Sequence, residues 1–388
     1  MLDRLVGTRL ARSKTSVLLL GPRQVGKSTL CKGLRPVRTV DLADESEFLR
    51  YSKDPGILRQ ELRALAEPGL VVVDDVQRVP ALLNVVQVLL DEPRNRLRFV
   101  LTGSSARKLR RGSANLLPGR VVLEHLDPLT PRELPPPFDL PRALQVGMLP
   151  GIHLGGEGAI DILGTYAEFY LREEVRAEAL TKNIGAYARF LDVAAVVSGQ
   201  WLNYTKIASD AEIPKETIRR FVEILEDTLL LFRVPPFRLR RKVSRRVSRR
   251  DRFLLFDVGV RNAMLGLHRR PIPPVQLGAT FEQWFLLQAI YLNRALRKGW
   301  AISSYRTESG AEVDLVIERD DDVVGIEIKA SRNVAASETR GLFSLAETIG
   351  AKTPFEKRVA YLGETERLLD NGVRVSPYLD LLDEVFSG

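Results

Sequence analysis

The chain has little of the residues that staple or anchor a protein: one cysteine, Cys31, and three histidines, His125, His153 and His268, in 388 residues. A lone cysteine forms no internal disulfide, and with scattered histidines it builds no zinc site. A disulfide-rich secreted scaffold and a zinc finger are excluded. Long apolar runs are also missing. The longest, such as Val17-Leu18-Leu19-Leu20 and Leu70-Val71-Val72-Val73, fall far short of the roughly 18 residues a membrane span needs. The N-terminal Met1-Leu2-Asp3-Arg4-Leu5 lacks a signal-peptide core. The expectation is a soluble, cytoplasmic chain with no membrane partner. Hydrophobic residues make up 45%, enough for packed cores, and the length suggests roughly two to three domains.

What is present is a concentrated positive charge. The net charge is +9. Between Arg238 and Arg252 stand nine basic residues (Arg238, Arg240, Arg241, Lys242, Arg245, Arg246, Arg249, Arg250, Arg252) and one acid, Asp251, so this window holds +8 of it. A patch of this kind implies a local polyanion contact more than a generally basic surface.

Short apolar strands alternate with helical stretches in the first third, at Ser16–Leu20, Thr39–Leu42, Leu70–Asp74, Arg98–Thr102 and Val121–Glu124. This pattern predicts an α/β fold with a mostly parallel sheet. Prolines cluster from Pro128 to Pro137, and a first boundary is placed there. From Thr165 to Thr228 the periodicity is helical, with Phe169, Leu171, Val175, Phe190, Leu191, Ala194 and Val197 on buried faces. Pro271-Ile272-Pro273-Pro274 precedes a further unit. It reads as a helix (Phe281–Leu296), strands (Ala301–Tyr305, Glu312–Glu318, Val323–Lys329), a helix (Ser337–Ile349) and a strand (Arg358–Leu362). Four domains are expected: 1–135, a helical connector 136–195, 196–270 and 271–388.

Gly21-Pro22-Arg23-Gln24-Val25-Gly26-Lys27-Ser28 fits the phosphate-loop pattern G-x-x-x-x-G-K-[ST], after an apolar strand and before the helix-compatible Thr29-Leu30-Cys31-Lys32. Such glycines let backbone N–H groups curl around phosphate oxygens at a helix N-terminus. Lys27 would reach the β/γ-phosphates, and the Ser28 hydroxyl would ligate Mg²⁺. Leu70–Asp75 is an apolar strand ending in two acids: Asp74 to hold Mg²⁺ through water, Asp75 to orient the attacking water. Arg98–Ser105 ends in small polar residues, of which Thr102 or Ser104 would sense the γ-phosphate; a turn whose hydroxyls bond the local backbone is the plainer alternative. Arg120 is a candidate finger for a neighbouring subunit's phosphate. Arg107, Lys108, Arg110 and Arg111 compete for that role or for a nucleic-acid contact, and a solvated basic face is the commoner outcome.

GPRQVGKSTL, VVVDDVQRVPALL, LTGSSARKL and LLPGRVVLEHLDPLTPREL together resemble the ordered motifs of a large prokaryotic family of AAA-type P-loop ATPases. Members carry a C-terminal region catalogued only as a domain of unknown function. WLNYTKIASDAEIPKETIRRFVEILEDTLLLFRVPPF, RFLLFDVGVRNAML, FEQWFLLQ, YRTESGAEVDLVIERDDDVVGIEIKAS and GVRVSPYLDLL continue the resemblance through nearly the whole chain. It implies ATP as the nucleotide and a homo-oligomer. The family usually ends its acidic strand in Asp-Glu; Asp74-Asp75 here is one methylene shorter, which fits slow hydrolysis.

Tyr204–Asp227 reads as helix-turn-helix, with Pro214 opening the second helix. Leu229–Val234 and Phe253–Phe256 would be wing strands around the arginine-rich segment, a winged helix suited to phosphate contacts on duplex DNA. The bland alternative is a winged helix used for packing. In 271–388, a two-residue turn at Asp320-Asp321 sets Asp314 opposite Glu327 and Glu312 opposite Lys329. Residue chemistry alone favours an amphipathic hairpin with this polar face wet. The arrangement also resembles the PD-(D/E)xK nuclease core, with Val313 in place of its proline. That resemblance implies Asp314 and Glu327 as ligands of a second Mg²⁺ or Mn²⁺, Lys329 as a charge stabiliser, and Glu282 as an added helix carboxylate. Thr280 and Gln283 as a capping-box pair give Glu282 a plainer role at a helix start.

The expected function is an oligomeric, Mg²⁺-dependent ATPase that engages duplex or branched DNA and couples hydrolysis to its remodelling or processing, with nuclease activity open. The alternative is an ATP-gated switch whose nuclease-like part only binds a partner.

Overall fold

A computed structural model describes residues 2–65, 67–93, 96–105, 117–156, 158–170 (without the side chains of 169 and 170), 183–238 and 250–387. Arg107, Lys108, Arg110, Arg111, Leu171, Val175, Arg240, Arg241, Lys242, Arg245, Arg246 and Arg249, together with the side chain of Phe169, lie outside the described residues. The chain forms two compact units. One comprises Met1–Pro135, Leu149–Gly151 and Ile224–Leu230; the other comprises Pro136–Met148, Ile152–Glu223 and Leu231–Gly388. Among the described residues no helix is long and apolar enough to cross a membrane.

The first unit is built on a five-stranded sheet: β1 (Ser16–Leu20), β2 (Arg38–Asp41), β3 (Gly69–Asp74), β4 (Leu97–Gly103) and β5 (Val121–His125), in the order β2-β3-β4-β1-β5. Every pairing is parallel. A parallel sheet is covered on both faces, so its strands are continuously apolar rather than alternating. Ser16–Leu20 is accordingly buried at every position. The crossover helices include Lys27–Gly33 after β1, Glu45–Lys53 and Gly56–Arg63 after β2, and Leu82–Asp91 after β3. From β1 the chain passes β4 and β3 to reach β2; from β4 it passes β1 to reach β5. These connections leave in opposite directions, and in open α/β sheets ligands bind at such a switch, outside the carboxyl ends of the strands.

In the second unit, β6 (Leu231–Val234) and β7 (Arg252–Leu255) form an antiparallel ribbon. The helix Tyr204–Ala211 is capped by the Asn203 side chain and ends at Glu212 in the left-handed region. The next helix, Lys215–Asp227, starts one residue after Pro214 and from Ile224 onward belongs to the first unit. Residues 301–377 form a six-stranded mixed sheet: β8 (Ala301–Arg306), β9 (Glu312–Glu318), β10 (Val323–Lys329), β11 (Phe355–Tyr361), β12 (Arg367–Leu368) and β13 (Arg374–Pro377), ordered β12-β13-β11-β10-β9-β8. The β9–β10 hairpin has the register that a two-residue turn demands, from Val323↔Glu318 to Ile326↔Leu315.

Three expectations need correction. The polar face of this hairpin is not wet: Asp314 is 8% and Glu327 5% exposed, because the helices Pro274–Ala295 and Arg340–Ile349 pack against β9 and β10. The capping box at Thr280 does not exist, since the helix already begins at Pro274 and Glu282 lies in its interior. Arg252 is not a member of a solvated basic run. Its side chain is 5% exposed, on β7, whereas Arg238 and Arg250 are exposed.

Candidate functional site

Two groups of candidate residues are brought together, one in each unit. The first lies at the carboxyl ends of β1, β3 and β4. Residues 21–26 leave β1 and deliver the chain to the helix Lys27–Gly33. Two positions in this turn need the left-handed backbone, Gln24 (φ 64°) and Gly26 (φ 92°). Gly21 is required for a different reason: a Cβ there would lie 2.2 Å from the Leu126 carbonyl oxygen. Pro22, Val25 and Lys27 are buried, while Gln24, Ser28 and Thr29 are exposed and Arg23 is half-buried. Lys27 Nζ donates to the carbonyls of Gly21 (2.8 Å) and Pro22 (2.9 Å), so its charge is folded back into the loop. The loop is braced from outside by Arg4, which donates to the carbonyl oxygens of Val25 and Asp127 (2.7 Å each) and to Glu133 (2.9 Å). Arg4 stands alone in sequence, with no motif to reveal it.

Asp74 ends β3 and is 8% exposed. Thr102, at the end of β4, donates its hydroxyl to Asp74 Oδ1 and accepts from the Asp75 N–H at 3.0 Å. Thr102 is therefore engaged on both sides and holds the two acids in place. Asp75 sits at φ 56°, turning its side chain away from the strand; Oδ1 accepts from Gln77 Nε2 at 3.0 Å. The same Gln77 nitrogen donates to Ser104 Oγ at 3.1 Å. Gln77, 2% exposed, thus joins the acidic strand to the polar end of β4; its spacing two residues after Asp75 was the only sequence trace. Burial pushes the Cys31 thiol up to about 12, and the nearby Asp74 carboxylate adds to this while Lys27 opposes it. Cys31 is an inert packing residue beneath the site. Arg120, before β5, grips Asp91 with two bonds of 2.6 and 2.9 Å, and this guanidinium holds the Asp91 carboxyl below its usual range. The pair lies at the surface, where solvent screens it and Arg120 is readily released.

The oxygen groups at the first site suit Mg²⁺: a serine hydroxyl at a helix start and a strand-end carboxylate. Ser28 and Asp74 would hold the ion.

In the second unit, Glu282, Asp314 and Glu327 converge with two cations. The Arg252 guanidinium pairs with Glu282 Oε1, lies 3.7 Å from Asp314 Oδ1, and donates to the Gly199 carbonyl at 2.8 and 3.2 Å. Asp314 Oδ2 accepts from the Ile328 N–H at 2.9 Å, and Lys329 Nζ donates to Glu327 Oε2 at 3.0 Å. The Trp201 ring has the Arg252 and Arg306 guanidinium carbons each 5.7 Å from its centre, and its Nε1 donates to Glu312 at 2.6 Å. Close packing is enforced at Gly341, where a Cβ would meet the Glu312 carbonyl at 1.8 Å. A cavity of about 580 Å³ opens onto Asp314, Glu327, Lys329 and Arg340. As arranged, the carboxylates are engaged by Arg252, Lys329 and a main-chain N–H. Among the described residues no group of three His, Cys, Asp or Glu side chains is set out for a metal. A second divalent ion at Asp314 and Glu327 would have to displace these partners.

Burial, then the charge of Asp314, pushes both Glu282 and Glu327 up to about 8. Burial likewise pushes Asp257 up to about 6, against bonds from the N–H groups of Met148 and Val260. A carboxyl raised on folding holds a proton that the unfolded chain has released. Its stabilising contribution is whole below the unfolded value near 4.5 and is lost as pH rises toward 8. The second unit should therefore unfold at a lower temperature at pH 8.5 than at pH 6, with proton release on unfolding near pH 6.5. Calorimetry in buffers of different ionisation enthalpy measures this; a midpoint that rises with pH would contradict it.

Residues 13–134 match the family model of an AAA domain. Residues 138–270 and 277–381 each match a domain of unknown function, DUF8612 and DUF4143. Uncharacterised proteins of Mycobacterium bovis and Mycobacterium tuberculosis are 28% identical over 83% of this chain and 71% of their own length. Among solved structures, the Orc1 protein of Aeropyrum pernix in complex with DNA aligns at 14% identity and a TM-score of 0.27, over 67% of this chain and 91% of that one. A DNA polymerase III gamma subunit-related protein of Thermotoga maritima aligns at 14% and 0.29, over 58% and 99%. At these scores neither bears on fold or function. The parallel sheet, the loop that ends β1 and the matching family model make the N-terminal segment an AAA-type P-loop domain.

Proposed function

We propose that this chain is a Mg²⁺-dependent ATPase that works as a homo-oligomer on duplex or branched DNA, coupling hydrolysis to its remodelling or processing. The observation that carries the reading is the phosphate loop lying beside two acids and two hydroxyls at the switch point of one parallel sheet. Loop N–H groups from 23–28 would surround the β-phosphate, with Gly21 and Gly26 keeping side chains out of the way. Lys27 leaves the Gly21 and Pro22 carbonyls for the β/γ-phosphate oxygens. Mg²⁺ on Ser28 and Asp74 would offset charge on the transferring phosphoryl group. Asp75, steadied by Gln77, would hold the attacking water, and the Ser104 hydroxyl would donate to a γ-phosphate oxygen. Thr102 serves as a positioning residue through Asp74.

Arg120 supplies charge to a neighbouring subunit's nucleotide once released from Asp91. Arg120→Ala should lower turnover at unchanged ATP affinity; equal turnover removes the finger. The DNA contact is assigned to the basic segment 238–250, and affinity for duplex should fall steeply with salt. The deciding experiment is steady-state ATPase rate with single-stranded, duplex and four-way-junction DNA. Stimulation by one form supports the reading. A low rate indifferent to all three would replace it with an ATP-gated switch. Metal-dependent cleavage at Asp314, Glu327 and Lys329, with Glu282 in support, is a second reading favoured by their convergence. It requires Arg252 to withdraw, and it fails if Glu327→Ala and Lys329→Ala leave Mn²⁺-dependent nicking unchanged.

A further inference from the structure

Arg4 lies outside the phosphate-loop motif yet bonds into it. It is the cap residue before the helix Leu5–Arg12. Its side chain is 8% exposed, against a Glu133 side chain that is 2% exposed. A buried ion pair is poor evidence of a stabilising role, because desolvation rivals the attraction. Glu133 also has other donors: the Leu5 N–H at 2.8 Å and the Thr130 N–H at 2.9 Å. What the guanidinium adds is on its two terminal nitrogens, which donate to the main-chain carbonyls of Val25 and Asp127 at 2.7 Å each.

The bond to Val25 sets the direction of a neighbouring donor. The Val25–Gly26 peptide is trans, and in a planar trans peptide the C=O and N–H point opposite ways. Pinning the Val25 carbonyl on Arg4 therefore turns the Gly26 N–H away from Arg4, toward the hollow of the loop. Among the described residues that N–H has no acceptor. Sterics alone do not hold the peptide in this sense. Gly26 stands at φ 92°, and glycine tolerates either sign of φ, so a flip of the Val25–Gly26 unit meets little resistance without an external bond.

We infer that Arg4 is a positioning residue for phosphate binding: by holding the Val25 carbonyl it keeps the Gly26 N–H presented to a phosphate oxygen of a nucleoside di- or triphosphate. The inference rests on the phosphate-loop reading above and adds to it a residue outside the motif. Arg4 touches no phosphate; it acts through one peptide unit.

Arg4→Lys keeps the charge opposite Glu133 but replaces a three-nitrogen fork with one nitrogen. Arg9→Lys is the matched control, since Arg9 lies on the same helix and holds Glu124 of β5 with two bonds of 2.7 and 2.8 Å. Titration calorimetry with ADP, and separately with inorganic pyrophosphate, reads the affinity. Its stoichiometry counts the folded fraction, so a less stable variant still yields a value. Arg4→Lys should weaken both probes roughly tenfold, the scale of one hydrogen bond to a charged group, while Arg9→Lys stays within about twofold of the parent. In ATP turnover the loss should fall on KM more than on kcat, because the β-phosphate is bound alike before and in the transition state. Binding by Arg4→Lys within about twofold of the parent would overturn the positioning role, as would equal losses in the two variants. A parent that binds neither probe would sink the phosphate-loop reading itself, and this inference with it.

Discussion

Lys27→Ala should abolish ATP turnover, with a loss of at least about 10²–10³-fold, the scale for removing one preorganised donor from a developing charge. The ammonium now held by the Gly21 and Pro22 carbonyls would no longer meet the transferring phosphate. Folding should survive, because the two carbonyls are left with room for water once the side chain is gone. The measurement is single-turnover hydrolysis alongside the unfolding midpoint. Lost turnover at an unchanged midpoint is expected; turnover within a few-fold of the parent would refute the assignment of the loop. Lys27→Arg should fail as well, since a planar guanidinium does not replace a compact ammonium in a tight loop.

Arg252→Met should be the most destabilising single change in the second unit. Glu282 and Asp314 would remain buried with no cation between them, and removing one partner of a buried pair costs roughly 3–5 kcal/mol. For a unit of this size that lowers the midpoint by roughly 10 °C. The penalty should be smaller at pH 5 than at pH 8, because Glu282, pushed up to about 8, is protonated at pH 5 and needs no counter-charge there. Adding Glu282→Gln should restore part of the loss. Equal midpoints for the parent and Arg252→Met would show that the guanidinium contributes nothing. The consequence for function is direct: a divalent ion at Asp314 must compete with a cation that the chain itself provides.

Much of the architecture was legible because parallel strands and turns leave local traces. The continuous apolar runs at Ser16–Leu20 and Leu70–Val73 marked covered strands, and Asp320-Asp321 was enough to set the β9–β10 register. Contacts made by single residues across long separations left none. Arg252 read as one more charge in a basic run, yet its partners lie 30 and 62 residues away, and they alone decide whether it is wet or buried. The same holds for Trp201 on Glu312 and Arg4 on Glu133. The strands β12 and β13 and the helix Tyr378–Phe386 escaped because two- and four-residue strands carry too short a pattern for periodicity to register. Glu282 reads as a helix-start residue because a capping-box pattern recurs inside helices by chance; Pro274, at the true first position, is the better sign.

The first unit is not a continuous stretch of chain. Leu149–Gly151 and Ile224–Leu230 belong to it, Leu149 and Leu230 are buried, and Leu229 packs on its apolar core. The polypeptide leaves this unit and is stitched back into it twice. A fragment cut at 135 would bare the hydrophobic seats of those returns, so the ATPase portion cannot be excised as a bead from a string. Its inheritance is tied to the sequence that follows: a gene fusion that exchanged everything after 135 would have to supply equivalent returning segments, and recombination at that junction is penalised even though the prolines there look like a hinge.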